Sequence, residues 1–288
     1  AFEKMKILSV TGGVPKYLEE VMTTETAEQN LLQLCFSKEG FLFNEFEKIF
    51  TDVFRRRSSS FEKIVRTCMD RKQSAADIAK KLNITQDSEL SQKLKHLEYA
   101  GFLSRDYVYR PSDGKELKMS YYRVRDNYLR FYIKVIEKEK SKIKSKSKTY
   151  SSLNSIKGFE AIMGYQFENL ILANRHLILP ILKVSSEQVQ SSSPYYQPAN
   201  TKQKACQIDL LIHTDLDVFF ACEFKCKKEI DRSVVSVMKE KVKKLKLPKR
   251  ASLRPVLIYE GEMLSPHREQ INEYFFKVIS LSELLQSV

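Results

Sequence analysis

Apolar residues in the first half of the chain recur at the three- and four-residue spacings of amphipathic helices. The clearest case is a stripe of four phenylalanines, Phe43, Phe46, Phe50 and Phe54, in a segment that we predict to be helical over residues 41–54. An aromatic stripe at helical spacing packs into a protein core far more often than it binds a cofactor. We therefore predict that these rings are buried together.

Three further helical segments and two strand-like segments follow the phenylalanine stripe. The helices begin at about Ser58, Ser74 and Ser88, and residues 103–109 and 119–124 alternate as a pair of strands around a turn. Three helices followed by a hairpin is the arrangement of a winged helix-turn-helix domain. The pattern therefore predicts such a domain in this part of the chain.

Lysine and serine alternate between residues 138 and 148, after a helix predicted over residues 127–138. Ile143 is the only apolar residue in this run, so the run has no apolar face to bury. We interpret it as a solvated linker. Binding of a phosphate backbone is the alternative use of its lysines.

The second half of the chain alternates helix-like and strand-like segments. A long helical pattern over residues 159–177 is followed by three strand-like segments, a second helix and further strands. A polar stretch over residues 191–200 is predicted to be a loop between strands. This order predicts a mixed sheet flanked by helices. The predicted strands are residues 182–189, 204–213, 218–225, 253–259 and 278–280, and the second helix is residues 233–247.

Two acidic residues and a lysine lie on neighbouring predicted strands. Asp209 lies in an apolar strand, where a buried carboxylate is unfavourable unless a cation or hydrogen-bond donors compensate it. Glu223 and Lys225 are two residues apart on the next strand and therefore point to the same face. A short turn joins the strands into a hairpin, which brings this face close to Asp209. The alternative is that Glu223 and Lys225 form a solvated pair on an edge strand.

These residues suit metal-dependent chemistry on a phosphate group. Asp209 and Glu223 are the predicted metal ligands, because Mg²⁺ prefers carboxylate oxygens and keeps several waters; Mn²⁺ is the alternative ion. Lys225 is predicted to orient the attacking water or to neutralise the phosphate oxygens. Glu168, on the preceding predicted helix, is predicted as an additional ligand or a supporting acid.

The composition narrows the expected partners and compartment. A formal net charge of +13 favours polyanionic partners, with lysine-rich solvated faces as the alternative explanation. Neither the five cysteines nor the four histidines have the spacing of a zinc site. This usage favours a reduced, cytoplasmic compartment. No apolar run approaches the length of a membrane span, so we expect no membrane partner.

Three landmarks resemble the C-terminal part of the prokaryotic archaeal-type AAA+ ATPase family. The first is a Gly-Gly-x-Pro-x-Tyr-Leu segment, here residues 12–18, which in that family closes the ATPase lid. The second is Asp-Asn-Tyr-Leu-Arg-Phe at residues 126–131, after the winged helix. The third is Asp209 with Glu223-x-Lys225, which resembles the Asp…(Asp/Glu)-x-Lys motif of restriction-endonuclease-like proteins.

The resemblance implies an α+β multidomain fold in four parts. These are a helical lid remnant (residues 1–55), a winged helix-turn-helix with the following helix (56–139), the Lys/Ser linker (140–157) and a restriction-endonuclease-like α/β domain with a mixed sheet (158–288). The sequence contains no Gly-x-x-x-x-Gly-Lys-Ser/Thr phosphate loop. We therefore expect ATP to act only through an N-terminal ATPase module that precedes Ala1 in a longer protein.

The sequence departs from the family pattern at two places. Gln207 stands where family members often have a glutamate before the Ile-Asp pair, which removes one auxiliary ligand. Tyr195 and Tyr196 stand near a loop in which family members often have tryptophans, which suggests a different loop facing the substrate.

The resemblance and the site residues together predict a metal-dependent nuclease that cuts DNA. The alternative is a non-catalytic platform that binds DNA or a protein partner. In the winged helix, Ser91, Gln92 and Lys95 are predicted to approach bases in the major groove, while Lys115 and Lys118 on the wing contact phosphates. The alternative for this domain is a connector between ATPase and effector.

Overall fold

The computed structural model describes residues 1–54, 58–197, 199, 201 and 203–286. The chain divides into two compact units. The helical unit consists of residues 3–106 and 120–170, and the sheet unit consists of residues 1–2, 107–119 and 171–288. Among the described residues, no helix is both long and apolar enough to cross a membrane.

The helical unit contains most of the helices of the chain. Two irregular segments interrupt the pattern, a π-helical turn over Tyr132–Ile136 and a short 3₁₀ helix over Leu153–Ser155. The α-helices are α1 (Phe2–Thr11), α2 (Pro15–Leu18), α3 (Ala27–Phe36), α4 (Phe41–Phe54), α5 (Ser58–Thr67), α6 (Ala75–Leu82), α7 (Ser88–Tyr99), α8 (Asn127–Phe131), α9 (Glu137–Lys144) and α10 (Phe159–Ala173).

Side-chain caps explain why several of these helices begin where they do. Ser74 and Asp77 form a reciprocal capping box at the start of α6, and the Asp87 carboxylate accepts a hydrogen bond from the Leu90 amide at the start of α7. Each cap satisfies a backbone amide that has no partner within its own helix. Asn83 ends α6 in a left-handed conformation with φ of 52°.

The phenylalanine stripe of α4 is part of the core of the helical unit. Phe43, Phe46 and Phe50 are buried, and Phe46 stacks on Tyr132 with ring centroids 4.1 Å apart and planes 3° from parallel. Phe54, at the end of the stripe, stacks on a ring of α5. The prediction that these rings pack together is confirmed.

The first part of the predicted Lys/Ser linker, residues 140–144, is helical instead, because residues 137–144 form α9 in continuation of the preceding helix. Ile143 is buried. The chain after the run is anchored as well, since Glu28 on α3 accepts hydrogen bonds from the Leu153 amide and the Ser152 hydroxyl at 2.8 Å each. The other lysines of the run are exposed, but Lys140 donates hydrogen bonds of 2.8 Å to Glu47 and to the Tyr132 hydroxyl. Lys140 and Ile143 together hold α9 against the unit.

A network of buried amides positions α10 within the helical unit. Gln166 is fully buried, and its Nε2 donates to the carbonyl oxygens of Ser9 and Asn127 at 2.7 Å each. Asn169 donates to the Asn127 side chain and accepts from Arg123. Buried polar groups are retained only when they are hydrogen-bonded, so this network specifies how α1, α8 and α10 pack together.

Helices α5, α6 and α7 are followed by a two-stranded sheet, formed by β1 (Leu103–Arg110) and β2 (Lys115–Val124). This is the predicted order of elements. The tip of the hairpin, residues 107–119, belongs to the sheet unit, so the predicted boundaries of 56–139 do not enclose one compact body. Within the sheet unit, Tyr109 joins the apolar core and its hydroxyl hydrogen-bonds to Nδ1 of the buried His213.

The sheet unit is built around a five-stranded mixed sheet. The strand order is β3-β4-β5-β6-β7, with antiparallel pairing from β3 to β5 and parallel pairing from β5 to β7. The α+β class with a mixed sheet is thus as predicted. The elements are α11 (Ile178–Ile181), β3 (Val189–Gln197), β4 (Cys206–Thr214), β5 (Val218–Glu229), α12 (Ser233–Lys244), β6 (Ser252–Glu262), α13 (Ser265–Tyr274), β7 (Lys277–Ser280) and α14 (Leu281–Gln286).

The position of β3 differs from the prediction. Of the predicted strand 182–189, residues 182–188 are not a strand; they lie after α11 and include a short 3₁₀ helix over Ser186–Gln188, and β3 begins at Val189. The strand instead covers most of the polar stretch that we predicted to be a loop. This stretch can be a strand because β3 lies at the edge of the sheet and pairs only with β4, so it needs few apolar residues. Residues 198 and 200 of the predicted loop lie outside the described residues.

One glycine on β6 is required by a bulge in β5. Gly261 has φ of +138°, and a Cβ atom there would lie 1.9 Å from the carbonyl oxygen of Lys227. The register between β5 and β6 shifts between Cys226 and Glu229, so an extra residue of β5 lies opposite Gly261. No side chain fits this position unless the two strands separate.

We therefore expect Gly261→Ala to destabilise the protein by about 3 kcal/mol, because it combines backbone strain with a clash against a backbone oxygen. Gly164→Ala on α10 is the matched control, since its added Cβ meets nothing within 4 Å; it should stabilise by about 0.5 kcal/mol. Urea denaturation followed by circular dichroism measures both changes. Equal stability of the two variants would contradict this account of the bulge.

Candidate active site on the mixed sheet

The candidate site lies where the β4–β5 hairpin stops pairing. Backbone pairing between the two strands ends at Leu210 opposite Cys222, and Asp209 and Glu223 are the next residues on each strand. The Asp209 Oδ2 atom accepts a hydrogen bond of 2.8 Å from the backbone amide of Phe224. The aspartate side chain is therefore held against β5 by the backbone itself.

Glu223 is the most deeply buried member of the site. Its side chain is 1% exposed, and each of its two oxygens accepts a hydrogen bond from a different lysine. Lys225, two residues along β5, donates to Oε1 at 2.6 Å. Lys241, from α12, donates to Oε2. Two cations from two separate elements thus compensate one buried carboxylate.

Lys241 is the site residue that we did not predict from the sequence. Its Nζ lies 3.6 Å from Asp209 Oδ1 while it also contacts Glu223. A signal for it is present in the sequence, because Val234, Met238 and Lys241 are spaced by four and three residues. This spacing continues the buried stripe of α12. A lysine on the core-facing side of a helix needs a buried partner, and here it has two.

Burial and neighbouring charges act on the protonation of Asp209 and Lys241. Burial raises the pKa of the Asp209 carboxyl above its ordinary value, and the nearby charge of Glu223 raises it further. The charge of Lys241, the hydrogen bond from the Phe224 amide and the charge of Lys225 oppose this rise. Burial lowers the pKa of the Lys241 ammonium, but the charges of Asp209 and Glu223 outweigh that effect and the pKa is raised. Lys241 is therefore a firmly protonated cation.

The sheet unit brings together three of the four predicted catalytic residues, Asp209, Glu223 and Lys225. Glu168 lies on α10 in the helical unit, where its charge acts on Arg130. Burial and then the charge of Arg123 lower the pKa of Arg130 to about 10, and Glu168 opposes this shift.

The carboxylates of Asp209 and Glu223 are the possible metal ligands of the site. In the described part of the chain, no group of three or more histidine, cysteine, aspartate or glutamate side chains could hold one. The two carboxylates do converge, since Asp209 Oδ1 and Glu223 Oε2 face the same ammonium nitrogen of Lys241. Two carboxylates and solvent are a sufficient oxygen environment for Mg²⁺. In the structure these two oxygens are occupied by the Lys241 ammonium.

The residues predicted to contact nucleic acid are all exposed. Ser91, Gln92 and Lys95 lie on the exposed face of α7, in the helical unit. Lys115 and Lys118 lie on β2 and belong to the sheet unit. The five residues are thus divided between the two units.

Comparison with known proteins supplies no family. No protein-family model matches the chain, and no curated protein matches it. Among solved structures, the chain is similar to protein VC1899 from Vibrio cholerae, with 12% identity and a TM-score of 0.35. The match covers 89% of this chain and 54% of that one, so the chain spans about half the length of VC1899.

The buried charge cluster leads to a prediction about stability. Glu223→Gln removes the shared partner of two lysines and should destabilise the protein by about 3 kcal/mol. Glu240→Gln on α12 is the matched control: its pair with Lys244 is exposed and 3.4 Å long, so the change should be under about 0.5 kcal/mol. Urea denaturation of both variants tests the difference, and a loss of stability for Glu223→Gln no larger than for the control would show that the cluster is not stabilised as described.

Proposed function

We propose that this chain is a metal-dependent, nuclease-like effector region that cleaves phosphodiester bonds, with DNA as the favoured substrate. The observation that carries the proposal is the convergence of Asp209, Glu223 and Lys225 at the end of β4–β5 pairing. The proposal rests on these three residues, which share one unit, and not on Glu168.

Several features of the sheet unit support a restriction-endonuclease-like fold in this proposal. The acids lie on an antiparallel hairpin, β4–β5, which is followed by helix α12 and then by β6 in parallel to β5. In chain order, α10 of the helical unit precedes this hairpin, with α11 and β3 between them. Helix, strand with Asp, strand with Glu-x-Lys, helix and strand is the order expected from the motif.

Each residue has a role that its position allows. Asp209 and Glu223 would hold Mg²⁺, or Mn²⁺, through the two oxygens that face one cation position. A bound divalent ion supplies a more acidic water and stabilises negative charge on the phosphate. Lys225 already lies beside Glu223, so its ammonium is placed to orient a nucleophilic water or to neutralise a phosphate oxygen.

Cleavage assays test the proposal directly. Wild type should cut single- or double-stranded DNA with Mg²⁺ or Mn²⁺, and EDTA should stop it. Asp209→Asn, Glu223→Gln and Lys225→Met should each lower the rate by at least about 100-fold, because charge stabilisation of a phosphoryl transition state is lost. Glu240→Gln should cut like wild type.

Cleavage that persists in EDTA, or in Asp209→Asn at the wild-type rate, would show that the activity comes from another site or a contaminant. Absence of cleavage by wild type on DNA would favour the alternative function.

The alternative is a non-catalytic platform that binds DNA or a protein partner. The specific observation in its favour is that both lysines form ion pairs with the carboxylates, so the charges of the site are balanced without a metal. A closed ion-pair cluster of this kind also serves as a structural element. An ion pair between Lys225 and Asp209 would be a further sign of a structural role, but the recorded partner of Lys225 is Glu223.

The remaining parts of the proposal concern nucleic-acid contacts and an ATPase partner. The order α5, α6, α7, β1, β2 supports a winged helix-turn-helix, and α7 has an exposed face that carries Ser91, Gln92 and Lys95. We propose DNA contact for this face, with phosphate contacts from Lys115 and Lys118. We also propose that ATP hydrolysis is supplied by an N-terminal module of an AAA+-type ATPase. For the compartment we propose the cytoplasm, which suits the five free cysteines.

DNA binding by the exposed face of α7 is testable without any cleavage. The double variant Gln92→Ala with Lys95→Glu should weaken binding of a DNA duplex by about tenfold at low salt, because it removes a base contact and reverses a charge. Lys80 on α6 is also exposed, so Lys80→Glu controls for the general effect of a reversed charge on DNA affinity. Fluorescence anisotropy in EDTA gives both affinities; equal weakening in the two variants would indicate non-specific attraction rather than a recognition helix.

A further inference from the structure

The Lys241 ammonium is placed where two carboxylates from different strands meet. It is the one described side chain with recorded ion pairs to both Asp209 and Glu223, whereas Lys225 is paired only with Glu223. The two lysines also use different oxygens of Glu223: Lys225 contacts Oε1, and Lys241 contacts Oε2. The position shared by the two acids is thus filled by Lys241 alone.

The helix limits how Lys241 can move. Met238 and Val234 lie about one and two turns before it on α12, respectively, and are buried in the core of the sheet unit. The helix backbone is therefore held on the sheet, and a displaced Lys241 moves by rotation of its side chain. The side chain is 22% exposed, so part of it reaches the surface of the unit. Its neighbour Lys243 is exposed on the same helix.

We infer that Lys241 is an internal counter-ion of the site, and that a divalent cation binds Asp209 and Glu223 only by displacing its ammonium. The inference rests on the proposed metal site and adds that the metal affinity of this site is set by Lys241. An ammonium and a divalent ion at the same two oxygens repel each other, so binding of the ion favours movement of the ammonium away from them. Lys225 can stay in place, since it binds the other oxygen of Glu223.

Displacement weakens metal binding, because the ion pairs of Lys241 must be broken before the carboxylates are free. Removal of the ammonium should therefore increase metal affinity, while replacement by another cation should not. A lysine that only assists a reaction behaves differently, because its loss leaves metal affinity unchanged. An increase in metal affinity therefore separates the first role from the second.

Titration of Mn²⁺ alone into the full chain, with free Mn²⁺ measured by electron paramagnetic resonance, tests the inference without substrate or turnover. Lys241→Gln and Lys241→Met should each bind Mn²⁺ at least about tenfold more tightly than wild type. Lys241→Arg keeps a cation in the same place and should stay within about twofold of wild type. Lys243→Met removes an exposed charge from the same helix and should also stay within about twofold.

Asp209→Asn in the background of Lys241→Gln should abolish the added affinity, which locates the bound ion. If Lys241→Met does not fold, the Gln and Arg variants decide the question, because each retains a polar side chain that can reach Glu223. Affinity of Lys241→Gln equal to or weaker than that of wild type would overturn the inference.

The outcomes separate this inference from the proposed nuclease activity. Tighter Mn²⁺ binding by Lys241→Gln without DNA cleavage by any variant would support the counter-ion and contradict the nuclease. Cleavage by wild type that depends on Asp209, together with unchanged Mn²⁺ affinity in Lys241→Gln, would support the nuclease and contradict the counter-ion.

Discussion

The sheet unit has to accommodate a carboxylate that is almost completely buried on its central strand. Glu223 lies on β5, between β4 and β6, and its side chain is 1% exposed. An unpaired charge in such a place is strongly unfavourable, so cations have to be brought to it. One of them, Lys225, comes from the same strand, and the other, Lys241, comes from a helix that has to pack at one particular position along the sheet. The local arrangement of β4, β5 and α12 depends on this requirement.

The same cluster limits the chemistry that the site can perform. With two carboxylates and two ammonium groups it is formally neutral, so the strong field that attracts a divalent ion to a pair of acids is compensated. A catalytic function therefore requires a change in the pairing of the lysines. A structural function requires no change. The difference between the two proposed functions is thus a difference in how firmly the ammonium groups are held.

In the helical unit, buried uncharged polar groups fix how the helices pack, as the buried charges do in the sheet unit. Asn127, Gln166 and Asn169 are buried and hydrogen-bonded to one another or to backbone carbonyls. Buried amides with specific partners favour one packing arrangement, because another arrangement would break their hydrogen bonds. Apolar contacts, including the stacked rings of Phe46 and Tyr132, add stability but do less to select one packing arrangement over another.

Local patterns predicted much of this protein. The periodicity of α4, the approximate starts of α6 and α7, and the apolar strands that carry Asp209 and Glu223 were recognisable because they depend on residues close in the chain. The alternation of strand and turn also indicated that Glu223 and Lys225 share a face. The α+β class followed from the order of these elements.

Contacts distant in sequence could not be predicted in the same way. The polar β3 is a strand because its edge position demands little apolar surface, and α9 is ordered because Ile143 is buried. Lys241 became a site residue because α12 packs across the sheet and places its ammonium between acids 18 and 32 residues earlier in the chain. The sequence by itself determined which residues could bear charge on a buried face. Only the tertiary structure decided which opposite charges meet them, because burial and pairing depend on the packing of elements that the chain order does not specify.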